Sequence, residues 1–320
     1  MPQSAGKTTG TKEVLSEETT GISVRELWKA PPRISSRNLF YGPGGLAKRP
    51  GKRFTFVKED ASGSNPKFVI EDEKGVRWKV KLGDEAKPET AATRILWAVG
   101  YNTDIDYLVP VLRVAGLPGR LSRGADLIQP DGTVQNARLK REGDKKKVGT
   151  WGWRTAPFRG TREFDGLRVL MALIDNWDLK DENNTIYERH GVRTYEVSDL
   201  GASFGSTGAL LNKDHAKGNL HSFESSKFLT KSTEEKVSFG TPSVPSLPYV
   251  FNVWDYDRRA RLRWIGRDIN RAHAKWVATL LVQLSPKQIA DAFRAAGYSE
   301  AEVEGFTTVL RERIKALNEL

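Results

Sequence analysis

A stripe of apolar residues runs directly into a cluster of acidic and amide residues. Its members recur at steps of three and four: Leu167, Leu170, Leu173, Ile174 and Trp177. This spacing predicts a helix with one buried face. Asp178 follows at once, then Lys180 and Asn183, and a second acidic turn, Asp199-Leu200-Gly201, comes further along. A long buried helix that delivers such a loop requires a large packed lobe around it.

The polar residues of this loop and turn are those that phosphoryl transfer requires. A carboxylate such as Asp178 orients an attacking hydroxyl, and Lys180 neutralises charge on the moving phosphate. Asn183 and Asp199 offer the oxygen ligands that Mg²⁺ prefers. The same residues also suit an ordinary polar turn, because Asp and Asn favour turns. The choice between the two interpretations therefore depends on the residues upstream.

Three predicted strands and a helix lie upstream of this loop. Apolar and polar residues alternate near residues 53–58, 68–70 and 76–82, and glycine-containing turns separate these runs. A helix is predicted next, with Pro88 in its first turn and Gly100 at its end. The order is strand, glycine turn, strand, strand and helix.

A lysine on the third strand and an acid on the helix form a candidate pair. Lys79 and Lys81 both alternate away from Trp78 and Val80, so they share one face. We interpret Lys81 as a phosphate-binding lysine and Glu89 as the acid that holds it extended. The alternative is a surface strand with solvated lysines and a Glu favoured by the helix macrodipole. The downstream loop, at a suitable distance, favours the first interpretation.

The order of these elements resembles the protein-kinase-like superfamily over residues 53–205, and the local sequence is similar to its atypical branches. Ser62-Gly-Ser-Asn-Pro-Lys67 is similar to the nucleotide loop of HipA-type kinases, and residues 81–89 to the lysine strand of phosphoinositide-kinase-like proteins. Residues 178–183 are similar to the catalytic loop of Ser/Thr protein kinases. The resemblance implies a two-lobed α+β fold, with a small antiparallel β-lobe that carries one main helix and a mostly helical large lobe.

The resemblance also implies a phosphotransferase that uses ATP and Mg²⁺, with a role for each matching residue. The implied residues are Gly63, Ser64, Lys67, Lys81 and Glu89 for the nucleotide, Asp178 and Lys180 for catalysis, and Asn183 and Asp199 for the metal ion. In these roles Lys81 would bind the α- and β-phosphates, Glu89 would anchor Lys81, and Lys180 would contact the γ-phosphate.

The chain departs from the superfamily pattern in three places. Its nucleotide loop has one Gly where typical protein kinases have three, and Trp177 precedes Asp178 without a His-Arg-Asp or Asp-Arg-His motif. No Ala-Pro-Glu follows Asp199. These departures leave open how ATP is bound and whether the acceptor is a protein Ser/Thr, a lipid headgroup or a small molecule. Nucleotidyl transfer and a pseudokinase scaffold stay open as well.

The net charge of +11 indicates an anionic partner, and over half of the excess lies in residues 258–275. This stretch contains one acidic residue, Asp268, and seven basic residues: Arg258, Arg259, Arg261, Arg263, Arg267, Arg271 and Lys275. Apolar residues at helical spacing predict a basic amphipathic helix over this stretch. As an alternative function, such a helix and the nine Trp residues would suit nucleic-acid binding by phosphate contact and stacking.

The chain divides into five predicted parts: a tail at 1–24, an extended strap at 25–52, a small nucleotide-binding lobe at 53–142, a hinge at 143–150 and a large catalytic lobe at 151–320. Within these parts, residues 101–120 are predicted to form a connecting helix and turn, and residues 202–248 a mobile loop region that faces the substrate.

No run of 18 apolar residues is present, and the first 21 residues lack the apolar region of a signal peptide. We therefore expect no transmembrane segment and a cytoplasmic location. The absence of cysteine excludes disulfides and thiolate chemistry.

Overall fold

The structure is a computed structural model that describes residues 22–61, 65–143, 145–205, 217–240 and 262–320. Five antiparallel strands build its small lobe: β1 (Phe54–Glu59), β2 (Lys67–Asp72), β3 (Arg77–Lys81), β4 (Asp106–Arg113) and β5 (Thr133–Arg141). They lie in the order β1-β2-β3-β5-β4. Alternate side chains of β2 and β3, among them Phe68, Trp78 and Val80, are buried in the core of this sheet.

The helix α1 (Ala86–Ala98) follows β3 and packs on β4 and β5. Pro88 lies in its first turn, where the missing N–H has no helical partner to lose. Gly100 follows the helix with φ +104°, a conformation that side chains other than glycine rarely adopt. The predicted start and end of this helix are confirmed.

Five helices and two small sheets build the large lobe as far as the structure describes it. The helices are α2 (Arg162–Leu173), α3 (Leu220–Ser225), α4 (Arg271–Leu281), α5 (Pro286–Ala295) and α6 (Glu300–Asn318). The first sheet has the order β6-β7-β8, with β6 (Lys146–Thr150), β7 (Asn184–Arg189) and β8 (Val192–Val197). The second has the order β11-β10-β9, with β9 (Leu229–Ser232), β10 (Lys236–Phe239) and β11 (Ile269–Asn270). No helix in the described ranges could cross a bilayer.

The chain from residue 22 to the start of β1 ties the two lobes together. Its apolar anchors Leu27, Ile34 and Leu39 are buried in one core with α1, α2 and the C-terminal helices. Gln288, on α5, donates from its side-chain nitrogen to the carbonyls of Ile34 and Arg37, each at 2.9 Å. The predicted two-lobed α+β architecture, with a small antiparallel β-lobe and a mostly helical large lobe, is therefore confirmed, and α1 packs against both the sheet and the helices of the large lobe.

The predicted connecting helix at 101–120 is wrong. The middle of the segment forms β4, which pairs with β5 from Asp106 to Arg113, and the segment contains no helix. β4 lies at the edge of the sheet, where Pro110 removes no needed hydrogen bond. Pairing with β5 therefore outweighs a local apolar spacing that favours a helix.

The predicted basic helix at 258–275 is also wrong in its described part, which begins at residue 262. A 3-10 helix covers Arg263–Gly266, β11 follows, and α4 begins only at Arg271. Asp268 has φ +50°, and the side chain of Asn270 caps α4, so the backbone cannot continue as one helix. Basic residues 258–261 and the predicted tail up to residue 21 lie outside the described residues.

The loop region predicted at 202–248 is only partly a loop. Its described residues include α3 and the antiparallel pair β9 and β10. β7 and β8 form an antiparallel hairpin, and α5 and α6 each begin at a side-chain cap. Ser285 and Ser299 cap those two helices, each paired with a side chain three positions on.

Stability is expected to depend on pH through Asp175, which follows α2 and is 2% exposed. Burial raises the pKa of Asp175 from 3.8 to about 6, although Arg313 lies 3.9 Å away. Between these values the folded protein keeps a proton that the unfolded chain has released. The contribution of this group to stability therefore falls as pH rises through that interval, by up to about 3 kcal/mol, and is constant above it.

The variant Asp175→Asn removes this titration and tolerates the backbone, since φ at this position is +57° and Asn accepts such angles. Urea unfolding at several pH values measures the effect. The stability of the variant minus that of the wild type should increase as pH rises from about 4 to about 6.5. A difference that stays constant over this range would contradict the assignment.

Candidate active site

A cleft of about 710 Å³ lies between the sheet of the small lobe and the loop that follows α2. It brings together seven of the predicted site residues: Lys67, Lys81, Glu89, Asp178, Lys180, Asn183 and Asp199. They come from β2, β3, α1, the loop and the turn after β8. The remaining two, Gly63 and Ser64, lie outside the described residues.

Lys81 is the meeting point of three carboxylates. Its neighbour Val80 faces the sheet core, so Lys81 at the end of β3 faces α1. Its Nζ donates to Glu85 and Glu89, each at 2.8 Å, and to Asp199 at 3.0 Å. Burial alone would lower the pKa of Lys81, but these acids raise it above the ordinary value. Lys81 therefore stays positively charged, although the residue is only 5% exposed to solvent.

A second set of buried charged side chains supports Glu89. Arg138, on β5, lies 3.2 Å from Glu89 and donates from Nε to Asp106 at 2.8 Å. Asp106 in turn accepts from Arg94, on α1, at 2.8 Å. The chain of charges from Lys81 to Arg94 crosses between the sheet and α1 and fixes their relative position. Sequence reasoning missed Arg138 and Asp106, because the pairing of β5 beside β3 is not visible locally.

Sequence reasoning also missed Glu85, which is 7% exposed beside Lys81. Its second oxygen accepts from Lys217 at 2.5 Å, and Lys81 and Lys217 lower its pKa although burial opposes them. A Cβ on Gly201 would approach the Glu85 side chain to 2.5 Å, so the turn after Asp199 requires glycine there. The spacing of four between Glu85 and Glu89 is the signal that could have indicated this second acid.

The loop between α2 and β7 is folded by its own polar groups. The side-chain nitrogen of Asn183 donates to the carbonyl of Asp178 at 2.7 Å, and Asp178 lies 3.3 Å from Lys180. The backbone N–H of Ser198 donates to the carbonyl of Asn183 at 2.7 Å. This bond joins the loop to the end of β8, so Asp178, Asn183 and Asp199 are presented together on one side of the cleft.

The chemistry of Asn183 and Asp199 fits a magnesium ion. The nitrogen of Asn183 is used within the loop, so its side-chain oxygen is the atom left for a ligand. Burial alone would raise the pKa of Asp199, but Lys81 and the N–H of Gly201 lower it to about 2, and the carboxylate is ionised at neutral pH. Both contacts use Oδ1, which leaves Oδ2.

The described residues contain no cluster of three acidic or histidine side chains that could enclose a metal ion. Magnesium does not need one, because it is commonly held by one or two carboxylates together with phosphate oxygens and water. The residues present therefore fit a magnesium ion that arrives with a phosphate ligand.

Comparison with known proteins adds two likenesses of low identity. No protein-family model matches the chain, and no curated protein matches it. Among solved structures, it is similar to the proinflammatory kinase CtkA of Helicobacter pylori, at 10% identity and a TM-score of 0.45 over 83% of this chain and 95% of that one. It is also similar to the Golgi casein kinase, at 10% identity and a TM-score of 0.35 over 84% of this chain and 72% of that one.

Proposed function

We propose that this protein is a phosphotransferase that moves the γ-phosphoryl group of Mg²⁺-ATP to a hydroxyl acceptor. The observation that carries the proposal is the convergence on one cleft of Lys81, held by Glu89, and the set Asp178, Asn183 and Asp199. The first group neutralises phosphates, and the second combines a carboxylate for the acceptor with oxygen ligands for a metal ion. Phosphoryl transfer depends mainly on such positioning and charge stabilisation.

Each residue has a distinct role in this proposal. Lys81 binds the non-transferred phosphates, and Glu89 keeps its side chain extended toward them. Asp178 accepts a hydrogen bond from the acceptor hydroxyl and orients it in line with the phosphoryl group. Lys180, 3.3 Å from Asp178, neutralises charge on the group in transfer.

Asn183 and Asp199 would hold the metal ion. A bound Mg²⁺ would supply charge neutralisation for the phosphates. Lys67, on β2, adds a further positive charge to the cleft. Gly63 and Ser64 lie outside the described residues and stay candidates for phosphate binding on the sequence alone. The acceptor is a protein Ser/Thr, a lipid headgroup or a small molecule.

The variant Asp178→Asn tests the proposal. We expect the rate of transfer to fall by about 10²- to 10⁴-fold, because the acceptor hydroxyl loses its carboxylate, while Mg²⁺-ATP affinity changes little. ADP formation in the presence of pooled protein, lipid and small-molecule acceptors measures the rate, and calorimetry measures the affinity. Glu188→Gln, an acid at the far end of β7, is the matched control and should change neither.

An equal rate of ADP formation in the wild type and the Asp178→Asn variant would show that Asp178 does not act in the transfer. Saturable ATP binding without any acceptor-dependent ADP formation would instead favour the pseudokinase scaffold. Release of pyrophosphate rather than ADP would favour nucleotidyl transfer by the same cleft.

A further inference from the structure

The part of the cleft formed by β5, β6 and β7 has few apolar groups with which to hold a nucleobase. Its described side chains are Lys140, Lys147, Thr185 and Tyr187. Small-molecule pockets are usually lined by aliphatic and aromatic side chains, which supply most of the contact with a ring. Across the described lining of the whole cleft, Tyr187 is the one aromatic residue and no Leu, Ile, Val, Met or Phe occurs.

The polar groups beside Tyr187 already have partners. The Tyr187 hydroxyl accepts from Lys140 at 3.0 Å, and the ammonium group of Lys145 lies 4.0 Å from the centre of its ring. Both lysines pair with buried Asp104, at 2.6 and 3.1 Å, and Lys145 also pairs with Glu196 at 2.8 Å. These side chains hold Tyr187 in place but have little capacity left to read the edge of a base.

The other end of the cleft, where we place the phosphates, offers positive charges to a ligand. Lys67 is half-buried and has no ion pair within 4 Å among the described residues, and burial and nearby Lys81 both lower its pKa. A phosphate at this position would stabilise its charged form. Lys81 and Lys180 lie in the same cleft. Charge-assisted bonds to phosphate oxygens are stronger than bonds between neutral groups, and exclusion of water strengthens them further.

From this contrast we propose that the cleft recognises its donor through the triphosphate chain and discriminates little among bases. Mg²⁺ complexes of ATP, GTP and CTP, and of inorganic tripolyphosphate, bind to the same site with similar affinity. Stacking on Tyr187 contributes a small increment for every base, since every base has a flat face. The inference rests on the proposed function, because it concerns the same site and the same triphosphate ligand.

Titration calorimetry on the full chain with excess Mg²⁺ tests the inference. The probes are ATP, GTP, CTP and inorganic tripolyphosphate. We expect the four dissociation constants to lie within about tenfold of one another, a range that corresponds to one weak contact. A preference for one base above tenfold, or a loss above tenfold without any nucleoside, would overturn the inference and leave the proposed function standing. Failure of all four to bind would overturn both.

Two variants test which residues recognise the phosphate chain and which contact the base. Lys67→Gln should weaken all four ligands by a similar factor of about tenfold, because it removes a contact to the shared phosphate chain. Lys58→Gln, an exposed lysine on the neighbouring strand, is its matched control and should leave binding unchanged. Tyr187→Ala should weaken all three nucleotides by small factors, within about tenfold of one another, and leave tripolyphosphate unaffected. A loss confined to ATP in Tyr187→Ala would show base-specific recognition and overturn the inference.

Discussion

Replacing Asp199 with Asn is expected to lower the rate of phosphoryl transfer by roughly a thousandfold or more, equivalent to about 4 kcal/mol of barrier. The amide keeps the size of the side chain and an oxygen for Lys81 but loses the negative charge that a metal ion requires. Lys81 keeps Glu85 and Glu89 as partners, so no buried charge is left without compensation, and the ligand-free fold should lose much less stability than in Lys81→Met. The loss is therefore one of function and not of folding.

Rates of ADP formation and urea unfolding curves, measured on the same preparations, separate the two effects. Asp84→Asn is the matched control, because Asp84 is exposed, lies next to Glu85 and does not line the cleft. It should leave both quantities unchanged. A folded Asp199→Asn protein with a rate close to the wild type would exclude Asp199 as the metal ligand.

The second large effect is expected for Lys81→Met. The substitution leaves three carboxylates, those of Glu85, Glu89 and Asp199, close together in a buried site without their common cation. Loss of one partner from a buried ion pair costs about 3–5 kcal/mol, because the remaining charge is not compensated. We expect a fall in stability of this size together with loss of transfer activity, which urea unfolding and ADP formation measure.

Lys79→Met provides the control on the same strand. Lys79 lies two residues away and pairs with Asp60 at 2.8 Å, but its side chain is 39% exposed, compared with 6% for Lys81. An exposed pair contributes about 0–1 kcal/mol, so the control should unfold almost like the wild type. Equal destabilisation by the two variants would contradict the buried network. Adding Glu89→Gln to Lys81→Met should recover part of the stability without recovering activity.

Local signals in the sequence were sufficient for several elements of the fold. Helix α5 begins where Ser285 precedes a proline, and α1 ends where Gly100 adopts a positive φ. These features act within a few residues, so they can be predicted without knowledge of the tertiary fold. The candidate pair of Lys81 and Glu89 was predicted for the same reason, since strand alternation and the first helical turn orient both side chains.

The supporting parts of the site could not be predicted in this way. Arg138 contacts both Glu89 and Asp106 only because β5 inserts between β3 and β4, which joins residues far apart in the sequence. The apolar residues of β4 are spaced as in a helix, and pairing with β5 decides their structure. Residues 262–275 carry a basic amphipathic pattern, yet Asp268 and the cap at Asn270 divide them. In each case non-local strand pairing or a local break in the backbone decides the structure, and the helical spacing of the apolar residues does not.

The most direct test of the proposed nucleotide site is a calorimetric titration of the wild type with ATP, in the presence and absence of Mg²⁺. We expect saturable one-to-one binding that is strongly weakened when Mg²⁺ is removed, and that becomes insensitive to Mg²⁺ in Asp199→Asn. Binding of this kind would also raise the unfolding temperature in proportion to the logarithm of ligand concentration. Absence of binding at millimolar Mg²⁺-ATP, by a protein shown to be folded, would contradict the assignment of the cleft.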